Sequence, residues 1–349
     1  MKPKSYAEAG VDVNEIKRRQ NELAKIFSST FKFRRGKVGS VYYGIGHYAG
    51  LIDLNDGRLL ALHIDGVGTK VIIAQKLNRY NTVGIDCVAM NVNDIICVGA
   101  EPLALLDYLA LKKPDEHLIK EVAEGVAKGA SMADVAVVGG ETAVLPDLLA
   151  EDERTFDLAG AVVGLVEKDN LVTGEKIDVG EVVVGVNSSG IHSNGLTLAR
   201  KLLLNKYSLD ETVPPLNRSL GDELLEPTLI YVKPVLEILR KKIYVSGLAH
   251  ITGGAFSKLT RLTKGSNLGF NLDDPPEPQP IFKLIQKEGE LSNEEMYRTF
   301  NMGVGFCVVT RGDCVDEVGK IFKRHGFDAK PIGKVVRGRG VIVKGVKIA

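Results

Sequence analysis

The sharpest constraint on the fold is a short apolar run, Leu59-Leu60-Ala61-Leu62-His63-Ile64, that stops abruptly at Asp65-Gly66-Val67-Gly68-Thr69-Lys70. Six apolar-rich residues ended by an acid and two glycines read as a strand delivering a polar loop. A helix through 82–98, a strand near 104–111, a helix near 115–132 and a strand at 135–138 follow, an alternation that predicts an α/β or α+β domain. Strands at 158–166 and 181–186 bracket a turn-rich segment, which sets an expected boundary near 170 between an N-terminal domain, 1–170, and a C-terminal α/β domain, 171–349. In the second half the pattern predicts helices near 197–205, 223–240 and 253–261, a Pro-rich loop at 273–278, and strands near 303–310 and 331–344. Upstream, residues 5–27 read as a lead-in and a charged amphipathic helix, followed by a basic linker and the glycine-rich stretch 44–50.

Composition narrows the function classes. With 349 residues, 44% of them hydrophobic and 26% charged, the chain is an ordinary globular one, long enough for two cores. Its 45 basic and 44 acidic residues leave a net charge of +1, so no overall field gathers a polyanion or an anionic membrane surface, and nucleic acid is not an expected partner. No stretch approaches the roughly 18 apolar residues of a membrane span, and the N-terminus enters charged sequence without an apolar signal core, so a cytoplasmic location is expected. The four cysteines, Cys87, Cys97, Cys307 and Cys314, form no Cys-x-x-Cys motif and read as buried or half-buried thiols.

Candidate chemistry begins in Gly84–Val98. At about 100° per residue, Asp86, Asn91, Asn93 and Asp94 fall on one side of a helix, with Val88, Val92, Ile95 and Ile96 on the other. That polar side carries no Lys or Arg. Two unpaired carboxylates about 4 Å apart repel by roughly 4 kcal/mol at an effective dielectric of 20, so a cation is expected to offset them. Magnesium fits, since it takes one or two carboxylates plus water and phosphate oxygens; the alternative is that these short side chains cap nearby loops. Asp65 is a second oxygen ligand on this reading, beside glycines that admit a ligand to the backbone, although Asp65–Lys70 lacks the spacing of a Walker A loop and is by itself only an acidic turn. Val135–Val138 runs into Gly139-Gly140-Glu141-Thr142, placing a third acid at a strand's C-terminal end. Ser188-Ser189-Gly190-Ile191-His192-Ser193-Asn194-Gly195 opens a helix with hydroxyls and glycines, a setting for an anion or for an ordinary N-cap, and Ile251-Thr252-Gly253-Gly254-Ala255 repeats it. His192 is a candidate proton donor or phosphate ligand; His47 and His250 carry no stronger signal than any loop histidine.

These segments, together with Ser5–Asp12, Gly99-Ala100-Glu101-Pro102, Pro227–Lys233, Ala249–Gly254 and Met296–Gly305, resemble the phosphoribosylformylglycinamidine cyclo-ligase (AIR synthetase) family, in order and over nearly the whole chain. The resemblance implies ATP-dependent ring closure of formylglycinamidine ribonucleotide to aminoimidazole ribonucleotide, with magnesium, releasing ADP and phosphate. It implies catalytic roles for Asp65, Lys70, Asp94 and His192, and nucleotide contacts from Gly66, Gly68, Thr69, Asp86, Asn91 and Glu141. Ser193, Asn194, Thr252, Gly253 and Gly254 would hold the substrate phosphate, and Asp65, Asp94 and Glu141 the metal. It also implies a homodimer in which a four-stranded N-terminal sheet pairs with its mate into an eight-stranded barrel. Thiamine monophosphate kinase is the enzymatic alternative, and a catalytically silent nucleotide binder the non-enzymatic one.

Overall fold

The computed structural model describes residues 2–150 and 152–349. In chain order the first half contains α1 (Val13–Ser28), β1 (Ser40–Tyr43), β2 (Gly50–Asp53), β3 (Arg58–Gly66), α2 (Lys70–Leu77), α3 (Asn81–Ile96), β4 (Glu101–Leu111), α4 (Glu116–Ala133), β5 (Ala136–Val144) and β6 (Phe156–Glu167). Its strands make one sheet ordered β1-β2-β3-β6-β4-β5, antiparallel except for the parallel pair β4–β5. The sheet thus has six strands where four were expected. The extra two are four-residue strands flanking a glycine-rich turn, too short to show alternation in sequence.

Strand alternation decides which face is covered. Along β3, Leu59 and Ala61 are buried while Leu62 and Ile64 are exposed. The covered face packs against α3, whose residues from Val83 to Ile96 are all buried. The helix is therefore enclosed all round, and the polar side formed by Asp86, Asn91, Asn93 and Asp94 faces protein. On one side it meets α4 at very close range, since a Cβ on Gly84 or Gly125 would collide with the backbone of the opposite helix.

The second half runs β7 (Val182–Asn187), α5 (Leu196–Leu203), α6 (Leu220–Leu224), α7 (Val232–Arg240), β8 (Gly247–His250), a 3₁₀ helix (Ala255–Arg261), β9 (Leu268–Leu272), α8 (Pro280–Gly289), α9 (Asn293–Thr299), β10 (Val304–Thr310), α10 (Val315–Arg324), β11 (Ala329–Arg337), β12 (Gly340–Val343) and β13 (Val346–Lys347). These strands form a seven-stranded mixed sheet, β13-β12-β9-β11-β7-β10-β8. The helix expected over 223–240 is two helices, because Pro227 cannot continue the first. The helix expected at 253–261 is a 3₁₀ turn that starts after Gly254, a residue with φ of +84°. Both halves mix sheet and helix, so the chain is α+β. Among the described residues no helix is long and apolar enough to cross a membrane, and all four cysteines are free.

Candidate functional site

Asp65 ends β3, and Asn91 of α3 clamps its backbone: the Asp65 N–H donates to Asn91 Oδ1 at 3.0 Å and Asn91 Nδ2 donates to the Asp65 carbonyl at 3.1 Å. One turn further along α3, Asp94 is held between two imidazoles. His250 Nδ1 lies 2.8 Å from Asp94 Oδ1, and His63 Nε2 lies 3.6 Å from Asp94 Oδ2. His63 stands two residues before Asp65 and so shares its face of the strand. Burial raises the Asp65 carboxyl above the usual carboxylate range, and the nearby Asp94 charge raises it further. Burial pushes Asp94 in the same direction, but His63, the His250 hydrogen bond and Lys258 outweigh it and hold Asp94 well below that range.

This pair is chemically suited to a hard cation. Both acids offer carboxylate oxygen, and among the described residues the Asp65 side chain accepts a hydrogen bond only from the adjacent Gly66 N–H, at 2.8 Å. Among the described residues no three His, Cys, Asp or Glu side chains stand together as a metal site, so such an ion would complete its shell with water and substrate oxygens.

Three of the expected assignments are corrected by position. Lys70 and Asp86 have no exposure and pair at 2.7 Å. Lys70 Nζ also donates to the Glu226 carbonyl at 2.5 Å, and Asp86 Oδ1 accepts from Thr228 N–H and Oγ1 at 2.7 and 2.6 Å. Neither side chain has a free face for a triphosphate; together they weld α3 to the second half of the molecule. Asn93 does the same, accepting from Tyr231 N–H at 3.0 Å and donating to the Leu229 carbonyl at 2.8 Å. Glu141 does not join Asp65 and Asp94: β5 runs on to Val144, which puts Glu141 mid-strand, and β6 and β4 stand between β3 and β5. Three strand spacings are about 14 Å, too far for one ion.

The phosphate-type loops do converge. A Cβ on Gly68, whose φ is +69°, would stand 4.0 Å from the Ser193 carbonyl, and one on Gly253 would stand 2.8 Å from Asn194 Oδ1. Thr69 Oγ1 meets Thr197 Oγ1 at 2.8 Å, and Ser193 Oγ meets Thr228 Oγ1 at 3.2 Å. Asn194 Nδ2 is buried without a partner just before Gly195, the N-cap of α5, and so is a donor aimed at the helix entrance. Thr252 is buried, and Gly254 follows Gly253 into the 3₁₀ helix. His192, at φ +63°, is drawn away from proton transfer: its Nε2 accepts from the Ser189 N–H at 3.2 Å, and burial, with His250 and Lys70, keeps the ring neutral. That geometry suits holding the 188–195 loop rather than acting as the expected acid or base.

Two site residues, His63 and Lys258, carry no distinctive sequence signal. Period-two spacing from Asp65 points to His63 once β3 is known; Lys258 is brought in by the 3₁₀ turn, whose direction no local pattern gives.

Two family models match the chain: AIR synthase related protein, N-terminal domain, over residues 46–166, and AIR synthase related protein, C-terminal domain, over residues 178–346. The chain is 50% identical over 345 residues to the phosphoribosylformylglycinamidine cyclo-ligase of Pyrococcus furiosus, spanning 98% of this chain and 99% of that one. It is 49% identical to the protein of the same name from Thermococcus kodakarensis, spanning 99% of each. Among solved structures, thiamine-monophosphate kinase from Stenotrophomonas maltophilia superposes with a TM-score of 0.64 over 91% of this chain and 94% of that one at 19% identity, a likeness of fold alone.

Proposed function

The chain belongs to the AIR synthase related family, and from that membership we propose how its residues divide the work. The protein is an ATP-dependent ligase of purine biosynthesis that cyclises formylglycinamidine ribonucleotide to aminoimidazole ribonucleotide. In the reaction the formyl oxygen attacks the γ-phosphorus of ATP, the bond from that phosphorus to the bridging oxygen breaks, and ADP leaves with the electron pair. The amidine-side nitrogen then bonds to the activated carbon, the C–O bond to phosphate breaks, a proton is lost from nitrogen, and phosphate departs.

The observation that carries the assignment of roles is the Asp65–Asp94 pair at the junction of the two halves, with the Asn194 donor and the 252–254 loop close by. Asp65 and Asp94 would hold magnesium with the triphosphate, where it supplies charge neutralisation during phosphoryl transfer. Asn91 fixes the Asp65 backbone and His250 orients Asp94. Gly66, Gly68 and Thr69 bring the chain close to the nucleotide, while Ser193, Asn194, Thr252, Gly253 and Gly254 receive the ribonucleotide phosphate. We assign residues 1–170 to nucleotide binding and dimerisation and 171–349 to a second domain, with the active site in the cleft between them.

A homodimer is supported by the uncovered sheet face, where Ile64, Leu106 and Tyr108 are exposed, and by β5, an edge strand with all but one residue exposed. Pairing two such edges would close a barrel across the dimer. Free thiols fit a reducing cytoplasm.

The test is ADP release by the purified protein with magnesium and ATP, with and without formylglycinamidine ribonucleotide. One imidazole product per ADP is expected; no stimulation by that substrate, with stimulation by thiamine monophosphate instead, would overturn the reading.

A further inference from the structure

Asn301 stands just before β10 and is buried, with 4% of its surface exposed. Its amide is engaged on all four hydrogen-bonding positions. Nδ2 donates to the Gly190 carbonyl at 2.8 Å and to the Ile191 carbonyl at 3.2 Å, while Oδ1 accepts from Ser188 Oγ at 3.0 Å and from the Gly303 N–H at 2.9 Å. Carbonyls only accept and an N–H only donates, so the partners dictate which way the amide faces. The ends of the 188–195 loop have other anchors: Gln279 Nε2 donates to the Ser188 carbonyl at 2.8 Å, Ser189 Oγ to the Pro227 carbonyl at 2.6 Å, and Ser193 Oγ meets Thr228 Oγ1 at 3.2 Å. Its middle is gripped by Asn301. The two carbonyls held there belong to the residues directly before His192, whose φ of +63° is a left-handed conformation that a side chain makes unfavourable. Two residues on, Asn194 Nδ2 is buried with no partner, and Gly195, left-handed again at φ +84°, caps α5. Asn301 thus fixes the turn that decides where Ser193 and Asn194 point.

Resting on the ring-closing function and on the assignment of Ser193 and Asn194 to the ribonucleotide phosphate, we propose that Asn301 is a positioning residue for that phosphate. It acts through the loop and not by touching substrate. Its two N–H donors hold the 190–191 carbonyls, keep the following turn left-handed, and so present the free Asn194 amide at the entrance of α5 before substrate arrives. Binding the ribonucleotide then carries no cost of ordering the loop, whereas ATP, which meets the Gly66–Thr69 side, gains nothing from it.

The experiment measures steady-state ADP release for wild type, Asn301→Asp, Asn194→Ala and the double variant. Formylglycinamidine ribonucleotide and ATP are varied in turn, at a temperature where circular dichroism shows each protein folded. Asn301→Asp keeps the acceptor and loses both donors. The expected result is a KM for the ribonucleotide raised about 10–100-fold, with the KM for ATP within about threefold of wild type. A lost folded fraction would lower the apparent kcat and leave both KM values alone, so this split separates positioning from mere support of the fold. The double variant is expected to raise the ribonucleotide KM by less than the product of the two single effects, because the two residues act in series. Asn301→Ser replaces the Asp variant should that one fail to fold. An unchanged ribonucleotide KM, an ATP KM that rises in step, multiplicative effects in the double variant, or failure of both Asn301 variants to fold each overturns the inference. An unchanged KM in Asn194→Ala overturns the phosphate assignment instead. A wild type whose ADP release ignores formylglycinamidine ribonucleotide overturns the function itself, so the three failures are told apart.

Discussion

Lys70 gives its ammonium to Asp86 where neither group meets water, so deleting the cation strands a carboxylate in the interior. Removing one partner of a buried pair costs about 3–5 kcal/mol. Lys70→Met is therefore expected to lower the urea midpoint sharply, and the double variant Lys70→Met/Asp86→Leu to recover part of the loss; an unchanged midpoint in the single variant would contradict the pairing. His47 makes a pH prediction. Burial lowers it to about 4, and its Nε2 lies 3.1 Å from the Thr173 carbonyl. The unfolded chain takes up this proton near pH 6.5 and the folded one only near 4, so stability is fully present above 6.5 and falls as pH drops through that window, by about 3 kcal/mol in total. Denaturation at pH 7 and pH 4.5 should show a smaller loss for His47→Gln than for wild type.

The packing of α3 on α4 depends on glycine. A Cβ on Gly125 would run into the Asn81 carbonyl, so Gly125→Ala should destabilise by about 1–3 kcal/mol, against the roughly 1 kcal/mol that alanine gains in an unhindered helix. A higher melting temperature in that variant would show that the helices stand further apart. At this scale β3, β4 and β6 were legible because alternation and turn residues are local. Asp65 was legible as an acid ending an apolar run before glycines and Asp94 as an acid on a helix side without a cation, and the resemblance implied a metal-holding role for both. The partners of α3 were not: Thr228, Tyr231 and His250 lie 142, 138 and 156 residues from the groups they bind, and no periodicity spans that distance. The cation expected for Asp86 was read as a metal, when Lys70 supplies it from the preceding helix, α2, whose packing against α3 no local pattern gives.

At the scale of the whole molecule, Ile64 is 71% exposed and Leu106 44%, and cross-strand register puts both in one row of the uncovered face through Ala161. A charge at the centre of that row should prevent burial against a second copy: light scattering is expected to give a dimer for wild type at micromolar concentration and a monomer for Ile64→Lys. A monomeric wild type would remove the dimer and the barrel with it. The bonds that weld α3 to the second half carry a further consequence, for the order in which a ribosome delivers the chain. Asp86, Asn93 and Asp94 emerge long before Thr228, Tyr231 and His250. At about 5–20 residues per second the wait is roughly 7–30 s. Throughout that interval the nascent first half holds polar groups that its own residues cannot all satisfy, so its core cannot close until most of the protein has been made.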